Sequence, residues 1–295
     1  MGQTTPIQER SGEAAVPIVL IFDSGAGGLS VASSIAETGL NIRLVYLADD
    51  GFFPYGDKAD GVLLNRIPEL VIAAIEATNA ALVVVACNTA STLALDAIRA
   101  RTAIPIVGVV PAIKPAAAIT KTGVVGLLGT PATVRRRYTD QLIADHAAGV
   151  TVIRHGAPDL AKAAELELEG IPADPAIYKS AVEAMLSAPG GATMDVVVLA
   201  CTHFPLVQSQ LAVAAAPRVF KWIDSGAAIA RRVAHLLGLT PHQGKTVFGA
   251  AWTTGEPTET RARAFAKCGF SPLLAFEMPP PKATNGISEI LANPV

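Results

Sequence analysis

The sequence predicts an α/β protein with parallel sheets, arranged as two similar halves that face each other. Three observations predict it. Short Val- and Ile-rich runs alternate with segments of helical spacing along most of the chain. The runs are apolar throughout rather than alternating, which marks strands buried on both faces. Two short phrases also occur twice. Asp23-Ser24-Gly25-Ala26 returns as Asp224-Ser225-Gly226-Ala227, and Val84-Val85-Ala86-Cys87-Asn88-Thr89 is echoed by Val198-Leu199-Ala200-Cys201-Thr202-His203.

The elements follow in order. Residues 1–15 are polar and predict a loose arm. Pro17–Asp23 is an apolar run ending at an acid; Gly25, Gly27 and Gly28 turn the chain, and Leu29–Glu37 has helical spacing. Ile42–Leu47 reads as a strand, Leu63–Thr78 as a helix, Ala81–Ala86 as a buried strand, Ala90–Arg101 as a helix and Ile104–Val110 as a strand. A second set repeats the pattern: strands at Gly123–Leu128, Val150–Arg154, Asp195–Ala200 and Val219–Ile223, with helices at Pro131–His146, Pro175–Ser187, Phe204–Ala215 and Ala227–Leu237. Met278–Val295 holds three successive prolines and little periodicity, and predicts a loose tail.

Composition removes several classes of function. Lys plus Arg number 23 and Asp plus Glu 25, a net charge of −2 over 295 residues. That balance argues against nucleic-acid binding through a basic face. Mean hydropathy is +0.43, yet the apolar runs fall far short of the ~20 residues of a membrane-spanning helix. Three cysteines cannot form a disulfide framework, and the odd count points to the reducing cytoplasm. Gly25-Ala-Gly27-Gly28 lacks both the dinucleotide and the phosphate-loop spacing. It reads as a tight turn at a helix N-terminus, able to hold a carboxylate ligand.

The two cysteine phrases carry the chemistry. Cys87 and Cys201 each end an apolar run and precede polar side chains and a helix start. In open α/β sheets that is where ligands bind, and a helix N-terminus favours a thiolate. Four readings compete. Both could be small core residues. They could join His203 in a zinc site, although Cys-x-His is an unusual ligand spacing. They could form a redox disulfide, without the Cys-x-x-Cys spacing. Or they could be paired bases on opposite walls, one removing a proton and the other returning one to the opposite face, which inverts a stereocentre without a cofactor. Cys268 has no polar companions and reads as structural. Asp23 alone could be a helix cap, Tyr55 a turn aromatic, and Asp224 and Ser225 helix-end residues. Arg135, Arg136 and Arg137 read as a solvated helix face.

From Pro17 to Phe270 the chain resembles the glutamate racemase family within the aspartate/glutamate racemase superfamily. The resemblance rests on Phe22-Asp-Ser-Gly-Ala-Gly-Gly-Leu29, Phe53-Pro-Tyr-Gly56, Ala86-Cys-Asn-Thr-Ala90, Gly129-Thr-Pro-Ala-Thr133, Ala200-Cys-Thr-His-Phe-Pro205 and Ile223-Asp-Ser-Gly226, in that order. It implies two α/β domains related by a pseudo-twofold, with the active site in the cleft between them. The first would be discontinuous, 16–113 plus 225–270, and the second 114–224. It further implies cofactor-independent interconversion of L- and D-glutamate, supplying D-glutamate for peptidoglycan. Cys87 would exchange the proton of the D-enantiomer and Cys201 that of the L-enantiomer. Asp23 would assist Cys87, and His203 with Glu165 would assist Cys201. Asp23, Ser24, Pro54, Tyr55, Gly56, Asn88, Thr89, Thr130, Thr133 and Thr202 would bind the substrate. No metal is implied. An aspartate or broader acidic amino-acid racemase, and a non-catalytic binder of an acidic metabolite, are the competing functions. A homodimer and a cell-wall-precursor activator are left open; the polar N-terminal arm is similar to extensions in activated family members. One departure stands out: in Asp49-Asp50-Gly51-Phe52-Phe53, Asp50 replaces the family's usual Asn or Thr, which leaves the shape of the substrate loop open.

Overall fold

The computed structural model describes residues 16–277. Both termini expected to be loose, 1–15 and 278–295, lie outside the described residues. The chain begins β1 (Ile18–Asp23), α1 (Leu29–Ala36), β2 (Arg43–Ala48), α2 (Asp60–Thr78), β3 (Leu82–Val85), α3 (Asn88–Arg99), β4 (Ile106–Gly108) and α4 (Ile113–Ile119). It continues β5 (Val124–Gly129), α5 (Pro131–Arg135), α6 (Arg137–His146), β6 (Thr151–Gly156), α7 (Leu160–Leu168), α8 (Pro175–Leu186), β7 (Val196–Ala200), α9 (Gln208–Ala215) and β8 (Lys221–Ile223). It closes with α10 (Gly226–Leu237), β9 (Val247–Thr253), α11 (Glu259–Lys267) and β10 (Leu273–Ala275).

Two parallel sheets result. One is ordered β10-β9-β2-β1-β3-β4, the other β6-β5-β7-β8. The four-strand order β2-β1-β3-β4 matches β6-β5-β7-β8, so β3 and β7, the strands that lead to Cys87 and Cys201, are equivalent. In each half the chain reverses its direction of travel at the first strand, β1 or β5. Crevices at such switch points, outside the carboxyl ends of the strands, are where open α/β sheets bind ligands. The Asp-Ser-Gly-Ala echo has no such meaning. Its first copy follows β1 and its second follows β8, which are not equivalent strands.

Successive strand residues point to opposite faces, and both faces are packed. Val19, Ile21, Leu44, Tyr46, Leu82 and Val84 meet α1 and α10, whereas Leu20, Phe22, Val45, Leu47, Val83 and Val85 meet α2 and α3. The second sheet divides likewise. Val197 and Leu199 belong with α7 and α8, and Val196 and Val198 with α4. Burial on both sides is why the strands read as unbroken apolar runs.

The structure differs from the sequence reading in several places. The helix expected over Pro131–His146 is two helices, broken at Arg136 with ψ 140°. From that turn the Arg136 guanidinium reaches Asp60 at 2.8 Å, so only Arg135 and Arg137 form the exposed basic face. The segment after His203 opens as a 3-10 turn, Phe204–Val207, before α9. Five elements had no expectation: α4, α7, β9, α11 and β10. Pro115 interrupts the pattern of α4, and a half-exposed face and Gly249 weaken that of β9. β10 lies beyond residue 270, where the first domain was expected to end, and pairs with β9 in the larger sheet. No described helix is long and apolar enough to cross a membrane.

Candidate active site

β1 ends at Asp23, which is fully buried. One carboxylate oxygen accepts the Ser24 N–H at 2.7 Å. The other accepts the Gly28 N–H at the start of α1 and the Thr202 hydroxyl at 3.1 Å. The N-cap position of α1 is Gly28 rather than Asp23, so the carboxylate serves the helix end from a distance. Burial raises the Asp23 pKa against the lowering effects of His203, Ser24 and Thr202.

Cys87 is the N-cap residue of α3, and its thiol donates to Ser24 Oγ at 3.6 Å. Burial, reinforced by the Asp23 charge, pushes this thiol well above its ordinary value despite the helix N-terminus. The expectation that the helix end favours a thiolate therefore fails at Cys87: desolvation outweighs the dipole.

Cys201 follows β7, with His203 Nδ1 3.8 Å from its sulfur. On the other side His203 Nε2 lies 2.7 Å from Glu165 Oε1, on α7. Burial alone would lower the imidazole pKa, but the Cys201 and Glu165 bonds hold it well above 6.5. Burial alone would raise the Glu165 pKa, but His203, the Ala26 N–H and the Arg261 charge bring it below 4.5. The ring thus bridges the sulfur and the carboxylate through its two nitrogens.

The glycines between Asp23 and Leu29 acquire a reason here. A Cβ on Gly27 would collide with the His203 ring, and one on Gly25 with Glu165 Oε1. The Ala26 N–H donates to Glu165 Oε1 at 2.6 Å. The sequence predicts a turn able to hold a carboxylate ligand; the carboxylate it contacts in the structure is a side chain. That carboxylate is the protein's own, delivered from the other half of the chain.

Cys87 and Cys201 line one small space, together with Ser24, Pro54, Tyr55, Gly56, Asn88, Thr89, Thr130 and Thr202. Its volume is about 20 Å³. Asp23 and Glu165 stand behind it rather than in it. Thr133 is buried behind Thr130, whose hydroxyl is 2.9 Å from its own and accepts its N–H at 3.2 Å, capping α5. Asn88 lines this space, and its buried Nδ2 has no hydrogen-bond partner among the described residues, an open donor of the kind a polar ligand satisfies. The Tyr55 hydroxyl proton is committed: it donates to Asp49 Oδ2 at 2.6 Å, and Asp49 also takes two bonds from Arg66 and one from Thr254. Among the described residues no cluster of three or more His, Cys, Asp or Glu side chains could hold a metal ion.

Sequence reasoning missed Phe53 and Ala161 as lining residues. The Phe53 ring lies 5.4 Å from that of His203, centroid to centroid. Phe53 stood beside the Pro-Tyr-Gly phrase, so its position was visible, but its contact with a residue 150 positions away in sequence was not. Asp50, the departure from the family pattern, accepts from the Thr253 hydroxyl and the Gly255 N–H and pairs with Arg261.

Two cysteines at equivalent strand ends, one beside a buried carboxylate and one beside an imidazole–carboxylate pair, define a site suited to proton exchange on two faces of one small molecule. Residues 56–233 match the model of the Asp/Glu/Hydantoin racemase family. The chain belongs to this family and is an isomerase. Its similarity is to the family's glutamate racemases. It is 49% identical to the glutamate racemase of Sphingopyxis alaskensis over 218 residues, which is 74% of this chain and 81% of the relative. It is 44% identical to that of Photorhabdus laumondii over 239 residues, 81% of each. The crystal structure of Escherichia coli glutamate racemase in complex with L-glutamate and the activator UDP-MurNAc-Ala superimposes with a TM-score of 0.78 at 39% identity, covering 88% of this chain and 98% of that one.

Proposed function

We propose that this protein interconverts L- and D-glutamate by two-base proton transfer between Cys87 and Cys201, without a cofactor. The observation that carries the reading is that the two cysteines follow topologically equivalent strands and line the same space. In the L-to-D direction the Cys201 thiolate removes the α-proton and the Cys87 thiol gives one to the opposite face. Cys87 is suited to that second role, since its surroundings keep it protonated. His203, held by Glu165, orients and assists Cys201, and Asp23 assists Cys87. The carbanionic intermediate is stabilised by donors of the residues that line the space, among them Asn88 at the start of α3, whose Nδ2 is unpaired among the described residues. A space of about 20 Å³ holds about one water, so the two halves part to admit the substrate.

Glutamate, rather than aspartate, is supported by the glutamate racemases the chain is similar to. The product would supply peptidoglycan synthesis in the cytoplasm. The E. coli relative's activator makes a cell-wall precursor the natural candidate for an activator here. Purified protein is incubated with L- or D-glutamate, without cofactor, and optical rotation is followed. Racemisation is expected in both directions and is lost in Cys87→Ala and in Cys201→Ala. Full activity in either variant would end the two-base reading, and faster turnover of L-aspartate would change the substrate. Absence of α-proton exchange in heavy water with every acidic amino acid would favour a binding protein.

A further inference from the structure

Arg261, in the first turn of α11, lies away from the space between the cysteines. Its guanidinium joins two elements that both press on His203. One nitrogen pairs with Asp50, and Nη2 lies 3.4 Å from Glu169 Oε1. Asp50 begins the segment that ends in Phe53, whose ring packs against His203. Asp50 is itself fixed, because the Thr253 hydroxyl and the Gly255 N–H both donate to it. Glu169 is the C-cap residue of α7, and its N–H donates to the Glu165 carbonyl at 3.0 Å. Glu165 holds the far side of the His203 ring at 2.7 Å. A single cation therefore spans from a loop of the larger sheet to the helix that carries the partner of His203.

We infer that Arg261 is a positioning residue for His203, acting through Asp50 and Phe53 on one side and through Glu169 and Glu165 on the other. The inference rests on the two-cysteine reading above and deepens it. Arginine suits the task, since its planar fork can engage two carboxylates in fixed directions whereas a lysine ammonium is a single point. The neighbours of Cys87 include Ser24, Asp23 and the start of α3, none of them bonded to Arg261. The effect of Arg261 falls chiefly on the proton transfer at Cys201, whose neighbour His203 it reaches on both sides.

The two enantiomers have equal free energy, so kcat/KM must fall equally in both directions, and the asymmetry shows in isotope effects. These are measured on kcat/KM with α-deuterated L-glutamate and α-deuterated D-glutamate, using the full chain. Arg261→Gln is expected to lower kcat/KM on the order of 10- to 100-fold, as small misplacements of catalytic groups do. Its isotope effect rises with the L-substrate, whose proton Cys201 removes, and falls with the D-substrate. Arg261→Lys, which retains one of the two pairings, falls between wild type and Arg261→Gln. A rate loss that leaves both isotope effects unchanged would assign Arg261 to the fold and overturn the inference, as would wild-type rates. Asp50→Asn and Glu169→Gln each sever one connection and should move the isotope effects in the same sense, which keeps the test intact should Arg261→Gln not fold. Cys201→Ala separates the two possible failures. If it still racemises, the two-cysteine reading falls; if it is inactive and the isotope effects of the Arg261 variants are unmoved, only this inference falls.

Discussion

The Thr202 hydroxyl, just after β7 of the smaller sheet, donates to the Asp23 carboxylate at the end of β1 in the larger sheet, at 3.1 Å. The same carboxylate takes the Ser24 and Gly28 N–H groups. It therefore ties the turn beside Cys87 to the residue following Cys201. Asp23→Asn keeps the volume but sets an amide NH₂ against donors. It should destabilise the fold by about 1–3 kcal/mol and lower kcat by a larger factor than KM changes. Urea unfolding and steady-state kinetics read the two effects. An unchanged kcat would remove Asp23 from the proton-transfer machinery.

Gly27 is expected to tolerate no side chain. A Cβ there falls on the His203 ring, which is trapped between Glu165, Phe53 and Cys201. Gly27→Ala should retain a native far-ultraviolet circular dichroism spectrum and cooperative unfolding. Its kcat/KM should fall roughly 100-fold, because displacement by an ångström suffices for that. Wild-type turnover in this variant would show that the ring position does not matter to the chemistry.

The Glu165–His203 pair predicts a pH window for stability. The His203 pKa is raised, so its contribution is complete below 6.5 and fades as pH climbs through the higher folded value. The Glu165 pKa is lowered, so its contribution is complete above 4.5 and fades as pH drops through the lower folded value. The margin of wild type over Glu165→Gln should thus be greatest between pH 4.5 and 6.5, at about 1–3 kcal/mol, and shrink on both sides. Urea titrations across that range measure it. A margin independent of pH would mean the pair is not ionised in the folded protein.

Asp49 is fully buried and holds the Tyr55 hydroxyl with the help of Arg66. Removing the cation strands a buried carboxylate. Arg66→Ala should cost about 2–3 kcal/mol, below the range for fully buried pairs because the Arg66 side chain is 29% exposed. Tyr55→Phe leaves the ion pair in place and should cost about 1 kcal/mol. Denaturation midpoints that put the two variants level would show that Arg66 does little for Asp49.

The strands that lead to the cysteines were legible in sequence because burial on both faces leaves an unbroken apolar run. The cysteine phrases were legible because small and polar residues stand abruptly after such runs. Edge and half-exposed elements were not. β9 and β10 have mixed burial, and α7 carries Glu165 within a segment whose charges, Lys162, Glu167 and Glu169 among them, masked its apolar face. The Glu165 assignment came from resemblance, and its neighbours explain why spacing could not supply it: it meets Ala26 from 139 positions away.

By itself, then, the sequence determined the class of fold and the two buried strands that lead to Cys87 and Cys201, since each depends on local burial and local polarity. The tertiary structure alone decided the rest. It placed Glu165 on His203, closed the Tyr55 hydroxyl onto Asp49, stretched Arg261 between Asp50 and Glu169, and by burial pushed the Cys87 thiol pKa up against the pull of its helix. Each of these is set by desolvation and by charges distant in the chain, and neither is written in the residues next door.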